Sequence, residues 1–165
     1  MLGSEIVALI EAQAPRELAE PWDNVGLQVG SDDMETETCL LTVDVTRQSV
    51  REAKAGGASL IVAHHPLIFR PLSAVTAADP VGQTLLCAAR AMVSLYVAHT
   101  NLDASVTIGT SAALADQLGI ARGPALVPAQ AQAAEDVLAG LVGPPPRIDS
   151  ALAAAGPAAA GFWQW

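Results

Sequence analysis

The first hundred positions of this chain carry three short apolar runs. Cys39–Val45, Leu60–Ala63 and Val93–Ala98 are each dominated by apolar or β-branched residues and do not alternate strictly with polar ones. A strand open to water on one face alternates, so unbroken runs predict strands covered on both faces, as in a parallel sheet. Between the runs the pattern becomes helical and carries its own punctuation. Thr46 is placed to cap TRQSVREAKA, which stops at Gly56-Gly57, and Asp79 precedes PVGQTLLCAARAM with Pro80 at the first helical position. Ser4–Gln13 predicts an N-terminal helix ended by Pro15, and Thr110–Gln117 a later one ended at Gly119. The order is βαβαβ, which predicts an α/β fold: a mostly parallel sheet with helices on both faces.

Beyond Ile120 the character changes. Residues 121–165 are rich in Ala, Gly and Pro, include Pro144-Pro145-Pro146, and keep helical patterns only at Ala133–Leu141 and Ile148–Ala154. The division expected is an α/β domain over 1–120, followed at 121–165 by a tail or the start of a truncated insert subdomain. The FWQW ending favours truncation, since Phe162, Trp163 and Trp165 would normally be covered by further chain.

Composition narrows the classes. The 165 residues suffice for one hydrophobic core. A formal net charge of −9, with eleven of the seventeen acidic residues before Lys54 and the basic ones scattered singly, argues against a nucleic-acid or anionic-membrane surface. Cys39 and Cys87 show no C-x-x-C spacing and read as buried thiols in a reducing compartment. The N-terminus lacks a basic region, with Glu5 and Glu11 interrupting its apolar residues, and no apolar stretch reaches the roughly 18 residues of a membrane span. A soluble cytoplasmic protein is expected.

The chemistry gathers at strand ends. His64-His65 ends SLIVA, His99 ends SLYVA, Asp44 lies at the end of the first run, and Asp103 follows His99 by four. Ligands of open parallel sheets bind outside the carboxyl ends of the strands, so these residues belong to one edge. Neutral imidazoles with a carboxylate suit divalent Zn, Mn, Fe or Ni. Successive residues of a strand point to opposite sides, so two adjacent histidines can serve one centre only where the strand has ended, or they serve two ions. Pro66 then stiffens the segment that follows. Trp22-Asp23-Asn24-Val25-Gly26 reads as a turn entering a strand. No phosphate-binding glycine loop, Walker lysine or G-x-S-x-G elbow occurs.

Four blocks in order, PWDNVGLQVG at 21–30, LTVDVT at 41–46, AHHPLIFRPL at 63–72 and YVAHTNLD at 96–103, resemble the hexameric dinuclear-metal proteins known as GTP cyclohydrolase 1 type 2 homologs, or Ngg-interacting-factor-like proteins. The resemblance covers roughly residues 3–120. It implies an α/β unit with a two-metal site, assembled into a toroidal homohexamer. His64, His65 and Asp103 correspond to metal ligands, and His99 to a near-site catalytic residue. The activity implied is metal-dependent hydrolysis, the cyclohydrolase label being only an inherited name. The family supplies a further His and Glu from a C-terminal half that is missing here, as no histidine follows His99. The alternative expectation is therefore a non-catalytic metal-binding or assembly module.

Overall fold

A computed structural model describes residues 1–124. The expectations for 125–165, including the two helical patterns, the subdomain opening and the FWQW group, lie outside the described residues. Within them the chain runs α1 (Gly3–Gln13), a 3-10 turn (Arg16–Leu18), β1 (Gly26–Val29), β2 (Cys39–Thr42), α2 (Arg47–Ala55), β3 (Leu60–Ala63), α3 (Pro80–Ala91), β4 (Ser94–Val97), α4 (Thr100–Asp103) and α5 (Thr110–Leu118).

The helices start where the side chains dictate. Thr46 accepts a hydrogen bond from the backbone N–H of Ser49 at the head of α2, and Asp79 accepts from Gly82 at 2.8 Å at the head of α3, where Pro80 has no N–H to satisfy. Gly119, in the left-handed region at φ +66, closes α5.

The four strands form one sheet in the order β1-β4-β3-β2. β2, β3 and β4 are parallel, with Cys39 opposite Leu60 and Leu60 opposite Ser94, and β1 joins the far side of β4 antiparallel. The sheet is thus mostly parallel, with an antiparallel strand at one edge. β2 is shorter than the run that predicted it, ending at Thr42. Hydrogen bonding between the two segments goes on past the strands, but here the consecutive N–H groups of His64 and His65 both donate toward β2, to the carbonyls of Thr42 and Val43 at 3.1 and 2.9 Å, so the alternation of a strand has ended.

Alternation along the strands sorts the core into two layers. Ile61, Ala63, Leu95 and Val97 face α2 and α3, meeting Val50, Ala53 and Ala88. Leu60 and Tyr96 point the other way, toward Val7, Ile6 and Ile10 of α1. Each fully buried Leu or Ile contributes about 1.5–3 kcal/mol relative to exposure. With β3 and β4 covered on both faces, their ends are left for polar chemistry, whereas β2, expected to be covered likewise, lies at the edge of the sheet and leaves Leu41 exposed.

Two contacts fix the sheet at its margins. Gly30, at φ +84 after β1, has no room for a side chain, since a Cβ would stand 2.3 Å from Ser94 Oγ. That hydroxyl donates to the Ser31 carbonyl at 2.7 Å and accepts from the Ser31 N–H at 3.1 Å. The buried Tyr96 hydroxyl pairs with Glu11 of α1 at 2.9 Å.

Candidate metal centre

At the carboxyl ends of β3 and β4 three imidazole rings come together. His64 and His65 follow Ala63, the last residue of β3, and His99 stands two residues past β4 at the start of α4. The strand has ended where the paired histidines begin, which frees both rings to lie on one side. Their centroids are 5.0 Å apart, and those of His64 and His65 lie 5.2 and 5.8 Å from His99. One ligand nitrogen from each falls within 4.8 Å of the others, and this group could hold a metal ion.

Each ring is held through the same atom. His64 Nδ1 lies 3.0 Å from the Ala98 carbonyl oxygen, His65 Nδ1 2.8 Å from Asp44 Oδ1, and His99 Nδ1 2.9 and 3.0 Å from the two oxygens of Asp23. A carbonyl or carboxylate oxygen can only accept, so each Nδ1 carries a proton and, in the neutral ring, each Nε2 carries the lone pair. Metal-bound histidines are oriented in this way by an acceptor on the other ring nitrogen.

Asp23 is the most elaborated of these acceptors, with no side-chain exposure. It also accepts from the backbone N–H of Asn24 at 2.8 Å, the backbone N–H of Thr100 at 3.1 Å and the Thr100 hydroxyl. Burial pushes its carboxyl pKa up. The bonds from the Thr100 hydroxyl, His99 and the two backbone N–H groups outweigh burial and hold it below the ordinary aspartate value. Asn101, fully buried, fastens the same turn: its Oδ1 accepts from the His99 N–H at 2.9 Å, and its Nδ2 donates to the Ala14 carbonyl after α1 at 2.8 Å.

Asp103, one helical turn beyond His99, approaches the cluster from α4. Its Oδ1 lies 3.8 Å from His64 Nε2, too far for a hydrogen bond, and accepts from the Thr110 hydroxyl at 2.8 Å. The structure therefore brings His64, His65, His99, Asp44 and Asp103 to one edge. Sequence reasoning missed Asp23, assigned to a turn. Its signal was a carboxylate inside a block that, like the histidine blocks, ends against a strand.

The segment after His65 is fastened to the segment around Asp23. Gln28 uses both ends of its amide on Ile68, donating to the carbonyl at 3.1 Å and accepting from the N–H at 2.9 Å, while Asn24 Nδ2 donates to the same carbonyl. Forty positions separate Gln28 from Ile68, and no local pattern links them.

Comparison with known proteins bears on the family and the fold. A profile of the family described as Duf34/NIF3 (NGG1p interacting factor 3) matches residues 1–151. A GTP cyclohydrolase 1 type 2 homolog of Lactococcus lactis is 44% identical over 117 residues, which are 71% of this chain and 45% of that protein. One from Streptomyces coelicolor is 39% identical over 117 residues, 71% of this chain and 41% of that protein. Among solved structures, a Bacillus cereus protein related to NIF3 superposes with a TM-score of 0.68 at 38% identity, covering 72% of this chain and 33% of that one. Reduced HcgD from Methanocaldococcus jannaschii gives 0.65 at 34% identity, covering 70% and 46%. The chain spans less than half the length of these relatives.

Proposed function

This chain belongs to the Duf34/NIF3 family, and we propose that it binds a divalent metal ion through His64, His65, His99 and Asp103. The observation that carries the proposal is the common anchoring of the three rings through Nδ1, with ligand nitrogens within 4.8 Å of one another. The donor set fits zinc, manganese, iron or nickel. The resemblance kept His99 beside the ion rather than on it. We assign it to the donors because its ring is anchored as the other two are.

The reaction class proposed is metal-dependent hydrolysis, in which a bound ion supplies Lewis acidity and lowers the pKa of a water molecule it holds. The chain's own residues fix the imidazoles: Asp23, Asp44 and the Ala98 carbonyl hold the rings, while Asn101 holds the turn that presents His99. A second reading, a non-catalytic metal-binding or assembly module, is favoured by the donor count. Among the described residues the donors suffice for one ion, whereas the resemblance implies two. A toroidal homohexamer in a reducing cytoplasm completes the proposal. Cys39 and Cys87 are free thiols, and no helix among the described residues is long and apolar enough to cross a membrane.

Metal analysis after dialysis against zinc, followed by calorimetric titration, tests the donor set. The expected result is a single divalent ion per chain, with affinity lost in His64→Ala, His65→Ala and His99→Ala and weakened in Asp103→Ala. Wild-type protein that retains no zinc would overturn the proposal. Full zinc affinity in His99→Ala would return that residue to a place beside the ion. Hydrolysis of nucleotide and phosphoester panels by the zinc-loaded protein separates the catalytic reading from the non-catalytic one.

A further inference from the structure

Two large aromatic side chains stand in the open where the segments carrying this site meet. Trp22 is 60% exposed and Phe69 46% exposed, and their rings meet edge to face with centroids 6.0 Å apart and planes at 70°. We propose that Trp22 and Phe69 form a stacking corner for the planar aromatic ring of a small-molecule ligand, beside the histidine cluster. The position of that ring next to an ion rests on the metal-binding reading. Recognition of the ring itself does not.

Tryptophan is normally among the most extensively covered side chains, because its large apolar face is costly to leave in water. Here that cost is incurred on a segment that is firmly held. Trp22 directly precedes the fully buried Asp23, which is bonded to His99, Thr100 and Asn24. Phe69 directly follows Ile68, whose N–H and carbonyl are both taken by Gln28 and whose carbonyl also accepts from Asn24. The two aromatic residues are thus mounted on segments bonded to each other, and a ligand that stacks on them orders little that is not already ordered.

The chemistry of the corner selects a flat π-system. Aromatic rings meet offset-stacked or edge to face, so a planar ring can lie over one exposed face while its neighbour is met edge-on. A saturated ring or alkyl chain gains only contact area from the same surface. Of the possible occupants, a small molecule fits the location best, because the pair adjoins the residues that aim the histidines rather than standing on a distant apolar face. Leu72 and Val75 are also exposed further along the same segment, which makes a protein contact the outcome to be tested against.

The probe is adenosine, with ribose as the control that lacks the ring, titrated calorimetrically into zinc-loaded and chelator-treated protein. Adenosine binding to both forms is expected, with none by ribose. Trp22→Ala and Phe69→Ala should each weaken it by about 5- to 150-fold, the loss typical of removing an aromatic stacking partner. Trp22→Phe, which keeps a ring, should lose less than Trp22→Ala, and zinc affinity should stay unchanged in all three variants. Absent adenosine binding, or binding indifferent to both alanine variants, would overturn the proposal. So would self-association abolished by Trp22→Ala without adenosine binding, which would give this surface to a protein contact. Protein that fails to bind zinc yet binds adenosine through Trp22 would refute the metal-binding reading and leave this one standing.

Discussion

Replacing Asp23 by asparagine keeps the shape of the side chain and removes half of its ability to accept. The carboxylate takes bonds on both oxygens: Asn24 N–H and His99 Nδ1 at Oδ1, and Thr100 N–H and hydroxyl at Oδ2, with His99 also within 3.0 Å of Oδ2. An amide presents one oxygen and one NH2. Whichever way it turns, the NH2 faces donors it cannot satisfy, either those of Thr100 or those of Asn24 and His99. Because the site is fully buried, water does not compensate, and a buried donor left unpaired costs about 1–3 kcal/mol of folding stability. The larger readout is on the metal, since loss of an acceptor behind a ligating histidine typically lowers metal affinity about 10- to 100-fold, or about 1.4–2.7 kcal/mol. Zinc titration of Asp23→Asn, alongside circular dichroism to confirm the fold, should show that weakening. Asp44→Asn should show less, because the Asp44 side chain is 71% exposed and water can replace it. Unchanged zinc affinity in folded Asp23→Asn, or a greater loss in Asp44→Asn, would refute the reasoning.

Tyr96 is the only tyrosine of the chain, so tyrosinate absorbance reports it alone. Burial first, then the hydrogen bond to and negative charge of Glu11, push its pKa well above the ordinary 10.0. A raised folded pKa contributes stability that is present below the unfolded value and lost as pH rises beyond it. Absorbance should therefore rise only together with loss of the circular dichroism signal, and a rise at the ordinary value in folded protein would contradict this. Thr46→Ala removes the acceptor for the Ser49 N–H and should cost about 1 kcal/mol in urea unfolding. Gly30→Ala forces a methyl against Ser94 at a positive φ and should destabilise the chain by about 1–3 kcal/mol. Ser94→Ala should relieve part of that loss in the double variant, which a cycle of thermal melts would measure.

The strands and helices were legible because their signals are local. Leu60–Ala63 and Ser94–Val97 are buried on both faces or nearly so and read as apolar runs, and the edge strand Cys39–Thr42 reads the same way although it leaves Leu41 exposed. Thr46, Asp79 and Pro80 announce their helices within a single turn. The placement of His64, His65 and His99 was legible for a related reason: each stands just past a strand, and parallel strands share one edge. Asp103 was within reach because one helical turn separates it from His99, whose carbonyl accepts its N–H at 3.0 Å. What stayed hidden depends on partners far apart in the chain. Separations of 76 positions from Asp23 to His99, and of 40 from Gln28 to Ile68, leave no periodic trace. Nor does the tetrapeptide GLQV say which strand it joins or in which direction.

That direction decides how the site is completed. In the parallel pair, Thr42 lies opposite Ala63, so the chain leaving β2 runs beside the chain leaving β3 and sets Asp44 against His65, each two residues past its strand. β1 solves the same problem in reverse. Because it is antiparallel to β4, with Gly26 opposite Val97, the residues that enter β1 run beside those that leave β4. Asp23, three residues before Gly26, therefore meets His99, two residues after Val97. A parallel β1 would have brought the segment after Val29 to this edge instead, where the residue three positions past the strand is Asp32. The antiparallel direction of β1 is thus what makes Asp23, rather than a residue after the strand, the buried acceptor of His99, and the same reversal places Trp22 and Asn24 beside the segment that follows His65.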